Sequence, residues 1–183
     1  MKVVLIMVSS VNGKITRGDD PVVRKWTSKE DNELFDSLKK KYNLIVMGRK
    51  TFEAAKKNIP GKDNTLRVVL TRNPKKYRKL SVRGKLEFTS STPKRLVRSL
   101  ESRGYSNMLL VGGGKINSLF LKAGLIDELH LTIEPVLFGE GNNLLDNDMS
   151  HIRLKLVSVD MLNNSGTQHN IYRILKKHEH KSN

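Results

Sequence analysis

The sequence predicts an α/β fold, a mostly parallel central sheet with an antiparallel edge at its C-terminal side. Three observations predict it. Short, unbroken apolar runs at residues 3–8 (VVLIMV), 44–47 and 108–111 suit strands buried on both faces, and 66–70 reads as a further strand. Segments with helical spacing and recognisable caps lie between those runs. From residue 128 onward the pattern changes: residues 128–136, 154–159 and 171–175 alternate or run apolar, with no helix between them. Strands interleaved with helices, followed by consecutive strands, describe such a sheet.

Each element follows from local chemistry. After the first strand and a polar loop, Ser28 stands at a helix N-cap position, with Asp31 three residues on and Leu34, Phe35 and Leu38 at helical spacing. The second strand ends at Gly48, and residues 50–57 read as a short helix stopped before Pro60-Gly61. The third strand covers residues 66–70. Thr92-Pro93 opens another helix, because proline is tolerated in a first helical turn, and Gly104 follows its end. The strand at residues 108–111 runs directly into Gly112-Gly113-Gly114, and a helix over residues 116–122 is closed by Gly124. Right-handed crossovers place the loops after parallel strands along one crevice, where a ligand is expected.

Composition narrows the classes. At 183 residues the chain reads as one domain over residues 1–176 with a basic tail over 177–183. With no cysteine there is no disulfide framework, no thiolate nucleophile and no Cys-ligated metal. No apolar run approaches the roughly 18 residues of a membrane span, and MKVVLIMVSSVNG lacks a small-residue cleavage site, so a cytoplasmic protein is the expectation. The net charge of +16 favours anionic partners. Its cations are dispersed and aromatics are only 5%, thin for stacking bases, so phosphorylated small molecules are expected before nucleic acid.

Three predicted strand ends carry groups suited to phosphate. Gly48-Arg49-Lys50-Thr51 joins a strand to a helix, where main-chain N–H groups, two cations and a hydroxyl can hold an anion together. Thr71-Arg72 follows the strand that ends at Leu70. Val111-Gly112-Gly113-Gly114 lets a diphosphate approach the main chain without Cβ obstruction, although Asn117 stands where a dinucleotide fingerprint has its third glycine. Singly, each is as readily a turn or a surface charge. Together, at three strand C-termini, they point to a dinucleotide. The five histidines show no metal-ligand spacing, and His130 reads as an ordinary strand residue.

The runs VMGRKTFE from Val46, VVLTRNP from Val68 and VGGGKINSLFLKAGLIDELHLTIEPVLFGEG from Val111 resemble the dihydrofolate-reductase-like superfamily. They are nearest in kind to the reductase domain of the bifunctional riboflavin-biosynthesis deaminase–reductases and its stand-alone relatives. S-V-N-G-K from Ser10 is similar to that group's S-x-D-G-K signature. The resemblance implies a three-layer fold with helices on both faces of the sheet, NADPH-dependent hydride transfer, a phosphorylated substrate and a homodimer. Carried over, Gly48, Arg49, Lys50 and Thr51 hold cofactor phosphates, and Leu70, Thr71 and Arg72 lie at the adenosine ribose. Val111, Gly112, Gly113, Gly114, Lys115 and Ile116 wrap the diphosphate, while Val8 and Ile15 line the nicotinamide pocket. Asn12, Lys14, Asp31 and Phe35 face the substrate.

Hydride addition to a C=N carbon leaves charge on nitrogen, so an acid or a relayed water must supply a proton. Trp26, Asp31 and Phe35 are spaced as on the folate enzymes' acidic helix, and Thr132 matches the threonine that partners that acid. Yet S-x-x-D from Ser28 is equally a capping box, and Glu30 is a rival acid. The chain also departs from the riboflavin group. Gly112-Gly113-Gly114 stands for Glu-Gly-Gly, FEAAKKNIPGK replaces an A-D-D-P-R segment, and Asn12 replaces the signature aspartate. A ribosylamino-pyrimidine substrate therefore stands beside dihydrofolate or another pterin, and a nucleic-acid-binding protein without turnover is the third possibility.

Overall fold

The computed structural model describes residues 1–55, 64–146 and 151–175; the end of the helix expected at 50–57 and the tail expected at 177–183 lie outside the described residues. The strands are β1 (Lys2–Ser10), β2 (Leu44–Gly48), β3 (Leu66–Leu70), β4 (Leu86–Thr89), β5 (Asn107–Leu110), β6 (Glu128–Glu134), β7 (Leu154–Met161) and β8 (Gln168–Ile174). The α-helices are α1 (Lys29–Lys40), α2 (Arg49–Ala55), α3 (Pro93–Glu101) and α4 (Gly114–Lys122).

These strands form one sheet in the order β4-β3-β2-β5-β1-β6-β8-β7. β1 to β6 are mutually parallel, and β8 is antiparallel to both β6 and β7. The expected parallel sheet with an antiparallel C-terminal edge is therefore present. Alternation along β1 shows why the fold has three layers. Val3 and Leu5 join a core with Leu96, Val97 and Leu100 of α3 and Phe120 of α4. Val4 and Ile6 point the other way, into a core with Phe52 of α2 and against Phe35 and Leu38 of α1. Each fully buried aliphatic side chain of these layers contributes about 1.5–3 kcal/mol.

Ser28 caps α1 as expected, its hydroxyl accepting from the Asp31 N–H. α4 begins two residues earlier than the sequence predicts, because Gly113 serves as its N-cap. Besides a short 3-10 turn at Val23–Lys25 just before α1, two elements were not expected. Residues Pro74–Leu80 form a 3-10 helix, and β4 adds an eighth strand. Tyr77 is the reason both exist: buried, it stacks on Phe88 of β4 at 4.8 Å, and Phe88 meets Phe52 edge-on at 5.1 Å. Four cations surround Tyr77 in the sequence PKKYRKL and conceal an anchor that only the third dimension reveals.

Because β1 to β6 are parallel, their C-terminal ends share one edge. Ser10, Gly48, Leu70, Leu110 and Glu134 all end there, and the loops beyond them define a crevice.

Candidate active site

The crevice has two halves. On one side of its centre, β2 and the glycine loop are joined: the Gly48 N–H donates to the Gly112 carbonyl at 2.8 Å, and the Val111 N–H to the Val46 carbonyl at 3.0 Å. A Cβ at Gly48 would come within 2.7 Å of Ile116, and one at Gly114 would collide with the Asn143 carbonyl. Gly112 has φ +80°, a conformation that favours glycine, and sits directly over Met7. Gly113 differs. A Cβ there would meet no clash, only ordinary van der Waals contact with Thr51 Oγ1 at 3.7 Å and Ile15 Cδ1 at 3.9 Å. No side chain caps the α4 N-terminus behind it. A cradle bounded by Thr51, Ile15 and an uncapped helix start fits a diphosphate, because partial positive charge gathers at that helix end.

Beyond Gly48 the crevice opens into a pocket of about 230 Å³ lined by Arg49, Thr71, Arg72, Asn73, Lys76 and Tyr77. Glu53 organises its wall. One carboxylate oxygen pairs with Arg49 at 2.6 Å, and the other accepts from the Tyr77 hydroxyl. The Tyr77 hydroxyl hydrogen bond and the Arg49 charge hold the Glu53 carboxyl below its ordinary range. Three cations line this pocket, an arrangement suited to a phosphate monoester rather than to the diphosphate alone. Lys50 and Lys115 are exposed and do not line it, while Leu70 is a core residue and Val111 packs against the inner layer.

The other half centres on α1 and β6. Asp31 is only 7% exposed, and the Thr132 and Thr27 hydroxyls are the polar groups that favour its charged form. Burial pushes its pKa up to about 6, helped by the negative charge of Glu134 and opposed by the hydroxyl bonds. Its carboxylate is not the second half of a capping box. The Ser28 N–H, which that box would use, donates instead to Glu134 Oε1 at 2.7 Å. Glu30 turns away to Asn163, whose amide donates to it at 3.0 Å and keeps its carboxyl below the usual range. Of the two acids weighed in the sequence, Asp31 is the one buried against Thr132. Val8 pairs with Thr132 in register and is half-buried.

Two residues expected to face a substrate are engaged elsewhere. The Asn12 side chain donates to the Phe138 carbonyl at 2.7 Å and accepts from the Phe138 N–H at 3.2 Å. Lys14 Nζ donates to Asn143 Oδ1 at 2.8 Å. Both tie the loop after β1 to the loop after β6. The same strap includes the Ile15 N–H on the Asn142 carbonyl at 2.8 Å, and Asn117 Nδ2 on the Leu144 carbonyl at 2.9 Å. Asn117, at the missing third glycine, is thus a buried anchor for that strap. Phe138 in turn meets Trp26 edge-on at 5.0 Å, giving an aromatic rim beside Asp31's helix. Phe35 is half-buried against the inner core, with Lys39 Nζ 5.0 Å above its ring.

Sequence reasoning missed Glu134, Thr27, Asn73, Lys76 and the Glu53–Tyr77 pair. Glu134 had a signal: it lies two residues beyond Thr132 on a strand and so faces the same side. Among the described residues no group of three or more His, Cys, Asp or Glu gathers as a metal site, and no helix is long and apolar enough to cross a membrane.

Comparison with known proteins agrees with this architecture. A pyrimidine reductase-like protein of Corynebacterium diphtheriae superposes with a TM-score of 0.77 at 18% identity, covering 96% of this chain and 92% of that one. The bifunctional deaminase/5-amino-6-(5-phosphoribosylamino)uracil reductase of Thermotoga maritima gives 0.73 at 19% identity, covering 95% of this chain but 56% of that one. Dihydrofolate reductase of Enterococcus faecalis, solved with NADP(H), gives 0.65 at 20% identity over 96% of this chain and 97% of that one. These matches show the dihydrofolate-reductase-like fold. Among sequence relatives, the Bacillus subtilis protein YwjB is 26% identical over 160 residues, covering 85% of this chain and 88% of its own length. The family model described as the RibD C-terminal domain matches residues 1–165, and the chain belongs to that family.

Proposed function

We propose that the protein is an NADPH-dependent reductase of the 5-amino-6-(5-phosphoribosylamino)uracil reductase type, acting on the imine-like form of a phosphoribosylamino-pyrimidine. Family membership supports a reductase of riboflavin-pathway type. The single observation that carries the cofactor is the continuity of the Gly113 cradle, through the Gly48–Gly112 hydrogen bond, with the three-cation pocket. That layout has one place for a diphosphate and another for a further phosphate, the feature that separates NADPH from NADH.

When bound, NADPH supplies a hydride. The chain's own residues do the rest. Arg49, Arg72 and Lys76 bind the extra phosphate, Thr51 and the glycine loop hold the diphosphate, and Ile15 and Val8 keep water from the ring. Asp31, with a pKa near 6, holds a proton at a carboxyl oxygen and delivers it to the substrate nitrogen, directly or through one water. Thr132 fixes the direction of that carboxyl.

A second reading, a pterin reductase on the same fold, is favoured by one specific observation: an acid, Asp31, buried against Thr132. Purified protein mixed with NADPH and each substrate, followed by loss of cofactor absorbance, decides between them. Oxidation with the ribosylamino-pyrimidine is the expected result; oxidation with dihydrofolate alone would overturn the first reading in favour of the second.

The assembly expected is a homodimer. A bulge between Leu156 and Ser158 keeps Leu154, Leu156, Val159 and Met161 on one face of β7, beside Tyr172 and Ile174. All four are exposed on the outermost strand of the sheet, the kind of edge that natural proteins pair or cover. Sedimentation of Leu156→Lys/Val159→Lys tests this: monomers are expected, and an unchanged dimer would exclude the β7 face.

A further inference from the structure

We propose that Glu134 is the positioning residue for Asp31: by taking the Ser28 N–H itself, it releases the Asp31 carboxyl from the helix cap and leaves it turned toward Thr132. The inference deepens the reading of Asp31 as proton donor and rests on it.

The argument begins with a competition. In S-x-x-D the aspartate normally reaches back to the cap residue's N–H, and Asp31 is placed to do so, since its own N–H is already bonded to Ser28 Oγ at 3.2 Å. That donor is occupied. Glu134 Oε1 accepts it at 2.7 Å, and Glu134 Oε2 accepts the Thr167 hydroxyl at 2.7 Å. Glu134 is only 4% exposed, so a carboxylate there survives only with both oxygens bonded. Thr167 is fixed in turn by Asn163, whose Oδ1 accepts the Thr167 N–H at 3.1 Å and whose Nδ2 donates to Glu30 at 3.0 Å. Two carboxylates at the start of α1 and the end of β6 are therefore locked to the turn between β7 and β8. Asp31 is the carboxylate left free of both the cap and that turn.

The charged and titratable groups around Asp31 come from three directions. Glu134 approaches from β6, Arg24 comes from the 3-10 turn before α1 while paired with Asp36 at 2.7 Å, and His169 lies across from Thr132 on β8. The negative charge of Glu134 raises Asp31's proton affinity, and the Arg24 cation lowers it. Glu134 thus acts twice, by occupying the competing donor and by its charge.

Two variants separate these effects. Glu134→Ala frees the Ser28 N–H. The expected crystal structure has an Asp31 oxygen on that N–H and Thr132 released, with kcat down about 10- to 100-fold and the Kd for NADPH unchanged. Glu134→Gln keeps an acceptor for the Ser28 N–H, donates to the Thr167 hydroxyl where Glu134 accepts from it, and loses the charge. It is expected to recover most of kcat, while the midpoint of the Asp31 carboxyl titration, read by carbon NMR on the ligand-free protein, falls. Asp31 remaining on Thr132 in Glu134→Ala would overturn the proposal. If Glu134→Ala does not fold, Glu134→Asp, one methylene too short to keep the 2.7 Å bond to the Ser28 N–H, takes its place in the crystal, and Asp31 still turned to Thr132 there overturns the proposal. Because the crystal and NMR readouts need no substrate, a wild-type protein that oxidises no NADPH would sink the functional reading and leave this inference decidable.

Discussion

The two halves of the crevice solve opposite electrostatic problems. The Arg49–Arg72–Lys76 pocket is open, positively charged and assembled from exposed side chains on two short helical segments and a loop. The Asp31 side is buried, with one carboxylate beside hydroxyls and kept protonatable by burial. A phosphate is bound most cheaply where solvent still reaches it and several cations share the work. A proton donor needs the reverse, removal from water until its pKa approaches the working pH. The two halves should therefore fail differently when broken: the cationic pocket through affinity, the carboxylate through rate.

The sharpest way to break that contrast is Asp31→Asn. The expected loss in kcat is about 10²- to 10⁴-fold, the usual worth of a positioned acid, with NADPH affinity unchanged by calorimetry. In the wild type, kcat/KM should fall as pH rises above about 6, because the protonated carboxyl is the active form and is depleted there. A flat profile from pH 5 to 8 would remove Asp31 from the proton step.

Next in size is Gly113→Val. A Cβ there meets only ordinary contacts at 3.7 and 3.9 Å and the φ of −76° suits any L-residue, so the free protein should still fold, with Tm lowered by the poorer N-cap, worth about 1 kcal/mol. The new side chain would occupy the cradle, and a loss of NADPH affinity of about 100-fold or more is expected, equivalent to roughly 3 kcal/mol. Normal binding would mean the diphosphate lies elsewhere. Arg72→Glu should act more selectively. NADPH affinity is expected to drop about 10- to 100-fold, the worth of a charge-assisted contact, with NADH nearly untouched. Equal losses for the two coenzymes would contradict the role given to this pocket.

The legibility of these halves in the sequence differs for physical reasons. β1, β2 and β5 are readable because a strand buried on both faces is built on an apolar run, and little else produces such runs; β3 is readable from Val68-Val69-Leu70 despite the buried Arg67. β4 is not, since four half-buried residues carry too little pattern. Arg49, Arg72 and the glycine loop follow strand ends directly and can be found by position. Lys76 and Asn73 enter the pocket through a 3-10 turn with no periodicity to betray it. Asp31 is the instructive case. Its local sequence encodes a cap and a functional acid equally well, and the residue that decides between them, Glu134, is 106 positions away from Ser28. Local sequence specifies which roles a side chain can take, and a distant contact selects one.

The smallest expected effect concerns stability, and it sharpens the comparison from the other side. Asp31's folded pKa, about 6, lies above the roughly 4 of an unfolded aspartate, so the folded state binds this proton more tightly. Its contribution is therefore most favourable below about pH 4 and is lost as pH rises through 6, a change on the order of 2–3 kcal/mol. Asp31→Asn carries no ionisable group at that position. Its stability relative to the wild type should be near parity at pH 4 and higher at pH 8, measured by urea denaturation at the two values. Arg72→Glu, in contrast, alters an exposed pocket wall and should shift stability by about 0.5 kcal/mol or less at either pH. If Asp31→Asn proved less stable than the wild type at pH 8, the carboxylate would be a net structural asset. Burial would then not be a cost accepted for function, and the two halves of the crevice would no longer differ in kind.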